Sequence, residues 1–187
     1  MTLLEMKKKV LGLIEELNPE SEMLTDDPDI ATKINDVINL IMFEMARMKK
    51  IPRYTEFEVK EGELVDFAKL EKKCGSEVYQ ISRVKGVSYE FKADGTIIKA
   101  LEGGTMEVDL FIYPERITEK TKDKTYEFEL SPDALEIMPC GIAADLLKSD
   151  VSTQYGQIYA TRYKEMKMEL DPRNALQSIT IEGGVSI

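Results

Sequence analysis

Residues Ala134 to Ser149 read Ala-Leu-Glu-Ile-Met-Pro-Cys-Gly-Ile-Ala-Ala-Asp-Leu-Leu-Lys-Ser, and the apolar positions do not keep to one stripe. A helix that is apolar on nearly every side must be covered on nearly every side. The run therefore predicts a central helix wrapped by others, packing through Leu135, Ile137, Met138, Pro139, Ile142, Ala143, Leu146 and Leu147. Ser131 before Pro132 supplies a start signal, with Asp133 and Glu136 in the first turn. Pro139 removes one backbone hydrogen bond, so it either bends this helix or ends it and lets a second begin at Gly141. Gly141, Ala143 and Ala144 allow neighbouring backbones to come close. Nothing in the run carries chemistry.

The chain ahead of this helix divides in two. Residues 1–51 hold two amphipathic helices, at about 2–18 and 28–50. Thr2 with Glu5 reads as a capping box, Leu3, Met6, Val10, Leu13, Ile14 and Leu17 recur at helical spacing, and Asn18-Pro19 stops the pattern. Such a terminal helix packs on its own core or swings onto a neighbouring subunit. The second helix sets Ile30, Ile34, Val37, Ile38, Ile41, Met42, Met45 and Met48 on one face. Asp26, Asp27 and Asp29 at its start, and Arg47, Lys49 and Lys50 at its end, suit the helix dipole. The acids lack the Gly and Glu spacing of a calcium loop.

From 52 to 130 the period changes to two. Thr55, Phe57 and Val59, then Val78–Val84, Val87–Phe91, Thr96–Ile98, Met106–Ile112 and Tyr126–Leu130 read as short strands, with a hairpin turn at Asp94-Gly95. Leu64–Cys74 reads as strand then loop. Residues 131–171 return to helix, the last running from about Asp150 to Leu170 with Tyr155, Tyr159 and Tyr163 four apart. A tyrosine stripe is the edge of a core or an interface. The tail, 172–187, alternates at Ile179, Ile181, Val185 and Ile187, a strand with no partner of its own in sequence. The expected class is α+β, a small helical bundle with an antiparallel β-sheet or sandwich module inserted between the second and third helices.

Composition narrows the function. The chain has 35 acidic against 25 basic residues, a net charge of −10, and so lacks the basic footprint on which nucleic-acid binding depends. It has no histidine, which removes Ser-His-Asp and Cys-His activation, His-ligated metal and the commonest general base. Cys74 and Cys140 have no metal spacing and read as reduced thiols. No apolar run approaches the roughly 20 residues of a membrane span, and Lys7-Lys8-Lys9 stands in the wrong order for a signal peptide. Gly103-Gly104 and Gly183-Gly184 lack a phosphate-loop fingerprint. Glu15-Glu16 and Asp26-Asp27 are adjacent, which on a helix points them apart. No catalytic residue, cofactor or metal is expected.

In order of elements the chain resembles the head–tail adaptor (connector, or head-completion) proteins of tailed bacteriophages and prophages. The resemblance rests on Asp29-Ile30-Ala31-Thr32-Lys33-Ile34 with Val37-Ile38-Asn39 and Arg47-Met48, on Met106–Tyr113 followed by Pro114, and on Ala134–Pro139 through Ile142–Leu147 to Asp150, with Tyr155, Tyr159 and Arg162 beyond. Cys140 and Gly141 stand where bulkier, often aromatic, residues are expected. The resemblance implies a structural virion protein that forms a ring of about a dozen copies under the portal, assembled in the host cytoplasm. It would extend the DNA channel, pass DNA without reading its sequence, and meet the next neck or tail protein, with no membrane involved. Tyr155, Tyr159, Tyr163 and the apolar tail positions are then the candidate interface. An acidic channel suits passing DNA, because each phosphate meets like charge.

Two other readings compete. One is a tail or baseplate component whose β module binds a partner protein or a carbohydrate through Tyr79, Tyr89, Phe111 and Tyr113. The other is an enzyme using carboxylates alone, which requires a deep pocket with two acids of displaced pKa.

Overall fold

A computed structural model of the chain describes residues 1–149 and 154–170. The class is α+β. Helix α1 spans Leu3–Leu13 and opens with the capping box, Thr2 N donating to Glu5 Oε2 at 2.8 Å and Glu5 N to Thr2 Oγ1 at 3.2 Å. It stops well short of Asn18. Glu15 takes a φ of 61° and Glu16 N donates to the Leu11 carbonyl at 2.9 Å, so a Schellman-type end forms before Pro19 is reached. Leu17, expected on the apolar face, is therefore exposed. Helix α2, Pro28–Met48, is capped by Asp27, whose carboxylate accepts from Asp29 N and Ile30 N.

Helix α4, Pro132–Leu146, continues through Pro139 as one element and does not restart at Gly141. Ser131 occupies the cap position, but its side chain makes no capping bond. Leu135, Ile137, Met138, Pro139, Ile142 and Ala143 are buried, while Leu146 and Leu147 are half-buried, the latter in a short 3₁₀ turn over Leu147–Ser149. Helix α4 lies against α1, α2 and α5, the last spanning Tyr155–Leu170. Helix α1 thus packs on its own chain.

Between α2 and α4 run strands β1 (Ile51–Val59), β2 (Leu64–Asp66), β3 (Val78–Lys85), β4 (Tyr89–Lys92), β5 (Ile97–Ala100) and β6 (Gly104–Ile112), with helix α3 at Phe67–Cys74. They form two three-stranded antiparallel sheets, β1-β6-β3 and β2-β5-β4. The chain passes between the sheets four times, at Lys60–Glu63, through α3 between β2 and β3, at Gly86–Ser88 and at Leu101–Gly103, so the sheets are two halves of one broken ribbon. Gly86, with φ 87°, sits at one break, where a Cβ would stand 2.2 Å from the Thr105 carbonyl oxygen. The Asp94-Gly95 turn joins β4 to β5.

Two sequence expectations for this region are corrected. Leu64–Cys74 is strand then helix, because Asp66 caps the helix by accepting from Lys69 N at 2.9 Å and Gly75 closes it in the left-handed region. Its Leu70 is fully buried. Tyr126–Leu130 forms no strand beyond one isolated bridge between Thr2 and Glu127. Leu3 N donates to the Tyr126 carbonyl and Phe128 N to the Met1 carbonyl, so this segment packs along the N-terminus and outside both sheets. Its alternation reports half-burial against helices.

Candidate interaction surfaces

Three of the four insert aromatics are committed to the joint between α2 and the first sheet. Tyr113 packs against Phe43 with ring centroids 4.9 Å apart and against Tyr79 at 4.8 Å. Tyr79 stacks on Phe111 at 6.3 Å, and its hydroxyl donates to the Ala46 carbonyl at 3.1 Å. Burial pushes the Tyr79 phenol above its usual range. Cations lie on these rings: Arg47 over Tyr113 at 5.3 Å, Lys50 over Phe111 at 4.7 Å and Arg116 over Phe43 at 4.8 Å. Arg47 Nε also donates to the Tyr113 hydroxyl. The fourth aromatic, Tyr89, is 36% exposed at the outer sheet, edge to face with the 44% exposed Phe91 at 5.2 Å.

The segment that follows β6 is tied to α2 by a residue whose role sequence reasoning missed. Asn39 is buried on α2 and pairs with the backbone of Ile117, its Nδ2 donating to the carbonyl and its Oδ1 accepting the N–H, each at 2.8 Å. Its signal was the one amide inside the otherwise apolar run Val37–Met42. Nearby, the Tyr126 hydroxyl donates to the Glu115 carbonyl at 2.6 Å, and burial pushes its phenol up to about 12.

The tyrosine stripe of α5 splits. Tyr159 donates to the Leu13 carbonyl at 2.5 Å, one of the unpaired acceptors at the end of α1. Tyr163 donates to Glu44 Oε2 at 2.7 Å, and Lys167 pairs with the other oxygen of that carboxylate. Burial and the Glu44 carboxylate together hold the Tyr163 phenol far above its usual range. Two of the three tyrosines are thus bound within the chain. Tyr155 is 60% exposed, as are Ile158 at 55% and Met168 at 67%. Only Gly156 and Leu170 of α5 are buried among its described side chains. Ile179, Ile181, Val185 and Ile187 lie outside the described residues.

The hollows in this surface carry little chemistry. A groove of about 570 Å³ runs between α2, α4 and α5, and Asp145 is its one carboxylate among the described residues. A second hollow, of about 350 Å³, lies where Tyr155 and Tyr159 meet the end of α1, and its acids Glu15 and Glu16 are both exposed. A hollow of about 270 Å³ beside Lys49 is lined by Asp133, Glu136 and Glu169, and several other carboxylates accept backbone N–H groups. Backbone donation from Thr2, Lys60 and Ser88 holds Glu5, Glu63 and Glu102 below their usual range, and the Lys49 ammonium 2.8 Å away brings Asp133 down to about 2. Lowered carboxylates are the reverse of what a general acid at neutral pH requires. Among the described residues no group of three or more acids or cysteines stands close enough to hold a metal ion. Among them, too, no helix is long and apolar enough to cross a membrane.

No protein-family model matches the chain, and no curated protein matches it in sequence.

Proposed function

We propose that this chain is a structural component of a tailed-phage neck: a head–tail adaptor that forms a ring beneath the portal and extends the DNA channel towards the tail. The observation that carries the reading is the outer face of α5. That helix is tied inward by Tyr159, Tyr163 and Lys167, and it still turns Tyr155, Ile158 and Met168 to solvent. Tyr155 and Ile158 stand one turn apart and suit a partner's apolar surface, with Thr161, Arg162 and Glu165 exposed between them and Met168. Support also comes from the sequence resemblance at 29–39, 106–114 and 134–150, and from the net charge of −10, which disfavours adhesion of passing DNA.

The test is assembly on a portal ring encoded by the same genome. Electron microscopy of the mixture is expected to show an added ring under the portal, and a neighbouring portal gene is expected upstream. A chain that never joins the portal, and is missing from purified particles, would end this reading.

A second reading has one observation in its favour. The exposed Tyr89–Phe91 pair, with Leu64 and Leu101 also exposed in the outer sheet region, suits a tail component that binds another protein or a sugar through its β module. Loss of particle assembly on Tyr89→Ser with Phe91→Ser, while portal binding persists, would select it.

A further inference from the structure

We propose that the loop between α1 and α2 docks onto the far end of α2 in a second copy of the chain, joining copies head to tail. The two surfaces are built differently and complement one another in charge. The loop carries Glu20, Glu22 and Asp26, all exposed, around Met23, which is 68% exposed. It is held in one shape. Asn18 N donates to the Leu24 carbonyl at 2.8 Å, Leu24 N to the Ser21 carbonyl at 3.0 Å, and Asn18 Nδ2 to Asp26 Oδ2 at 2.8 Å. Leu24 takes a φ of 67° to close it. A preformed loop needs little backbone ordering on binding.

The other surface is the aromatic joint. Arg47, Lys50 and Arg116 are exposed there, and among the described residues none of them makes an ion pair. Ring faces, and not carboxylates, hold these cations in place, which leaves their charge available to a partner. The thioether of Met23 suits an aromatic lining, and the flanking carboxylates suit the cations. DNA is a poorer occupant, since it requires an extended cationic footprint, whereas Glu115 adjoins Arg116 and Asp109 lies two residues from Phe111.

The loop and the joint stand at opposite ends of α2, whose 21 residues span about 30 Å. A contact between unlike ends is heterologous, and repetition of it closes a ring when the rotation allows. In that sense the proposal rests on the ring reading and names its subunit contact.

The experiment places p-benzoylphenylalanine at Met23 in the full chain and irradiates it, at high concentration and on the portal ring. Interchain products mapping to residues 43–50 or 111–116 are expected. Lys50→Glu with Arg116→Glu, or Glu20→Lys with Glu22→Lys, should lower that yield about tenfold, and all four on one chain should restore it to within about threefold. Products elsewhere, products with the portal alone, no interchain product in either setting, or displacement by duplex DNA would overturn the proposal. If a ring still forms on the portal in those cases, the adaptor reading survives. If the mapped product forms without any portal ring, that reading fails and this contact stands.

Discussion

A Cβ built on Gly141 would stand 2.8 Å from Cε2 of Tyr163, so α4 and α5 meet there backbone against ring. The ring cannot easily yield, because its hydroxyl is fixed to Glu44 on α2. Where a bulkier residue was expected at 141, the ring of Tyr163 takes up the space.

The first prediction follows from that contact. Gly141→Ala gains about 1 kcal/mol of helix propensity but overpacks the site by about 1–3 kcal/mol, for a net loss near 1 kcal/mol. Gly12→Ala, on the exposed side of α1 with nothing within 4 Å, should stabilise by up to about 1 kcal/mol. Denaturant unfolding of both variants tests the opposite signs, and a stabilised Gly141→Ala chain would show the contact to be slack.

Asn39→Ala strands the buried N–H and carbonyl of Ile117, and is expected to cost about 2–4 kcal/mol. The segment between Pro114 and Leu130 should then become the first site of proteolysis under native conditions. An unchanged midpoint and an unchanged cleavage pattern would show that this pair does not anchor the segment.

Alkaline pH should unfold the chain through its tyrosines. Tyr126 and Tyr163 are raised in the folded state, so each keeps its proton after the unfolded chain has begun to lose it. For Tyr126 the stability gained in this way is complete below pH 10.0 and is lost as pH rises through about 12. Absorbance titration of the phenolates, compared with Tyr126→Phe and Tyr163→Phe, checks the assignment. Loss of stability with the same pH profile in the double variant would refute it.

At the acid end the depressed group is Asp133. Its contribution is present above pH 3.8 and lost as pH falls through about 2. The carboxylate is half exposed, so Asp133→Asn should cost only about 0.5–1 kcal/mol at neutral pH. That difference from the parent chain should shrink as pH falls below 3.8 and vanish below about pH 2, and a constant difference across the range would contradict the pairing with Lys49.

Ile158→Asp with Met168→Asp changes two exposed side chains, so the melting temperature should barely move, within about 0.5 kcal/mol of stability. Recruitment to the portal should be abolished. Undiminished recruitment, read by co-sedimentation, would remove the outer face of α5 from the interface.

The sequence alone was sufficient for the elements whose signals are local. The capping box at Thr2 and Glu5, the apolar face of α2 and the alternation of Met106, Val108, Leu110 and Ile112 each depend on residues a few positions apart. The all-round apolar character of Ala134–Ser149 likewise required neighbours on several sides, and α1, α2 and α5 lie there. The sequence also held the shortness of α1 and the helix at Phe67–Cys74, in Glu15 and in Asp66 with Gly75, but those ends are ordinary residues until a backbone angle singles them out.

Tertiary structure alone decided which polar groups meet across the chain. Asn39 reaches Ile117 over 78 positions, Tyr163 reaches Glu44 over 119, and Tyr159 reaches Leu13 over 146. Packing likewise divided the aromatic residues, drawing Tyr79, Phe111 and Tyr113 into the joint and leaving Tyr89 outside. Periodicity reports how much of a side chain is covered, because burial is averaged over a face. It says nothing of which atom does the covering, and hydrogen bonds, ring contacts and interfaces are set by that atom's identity.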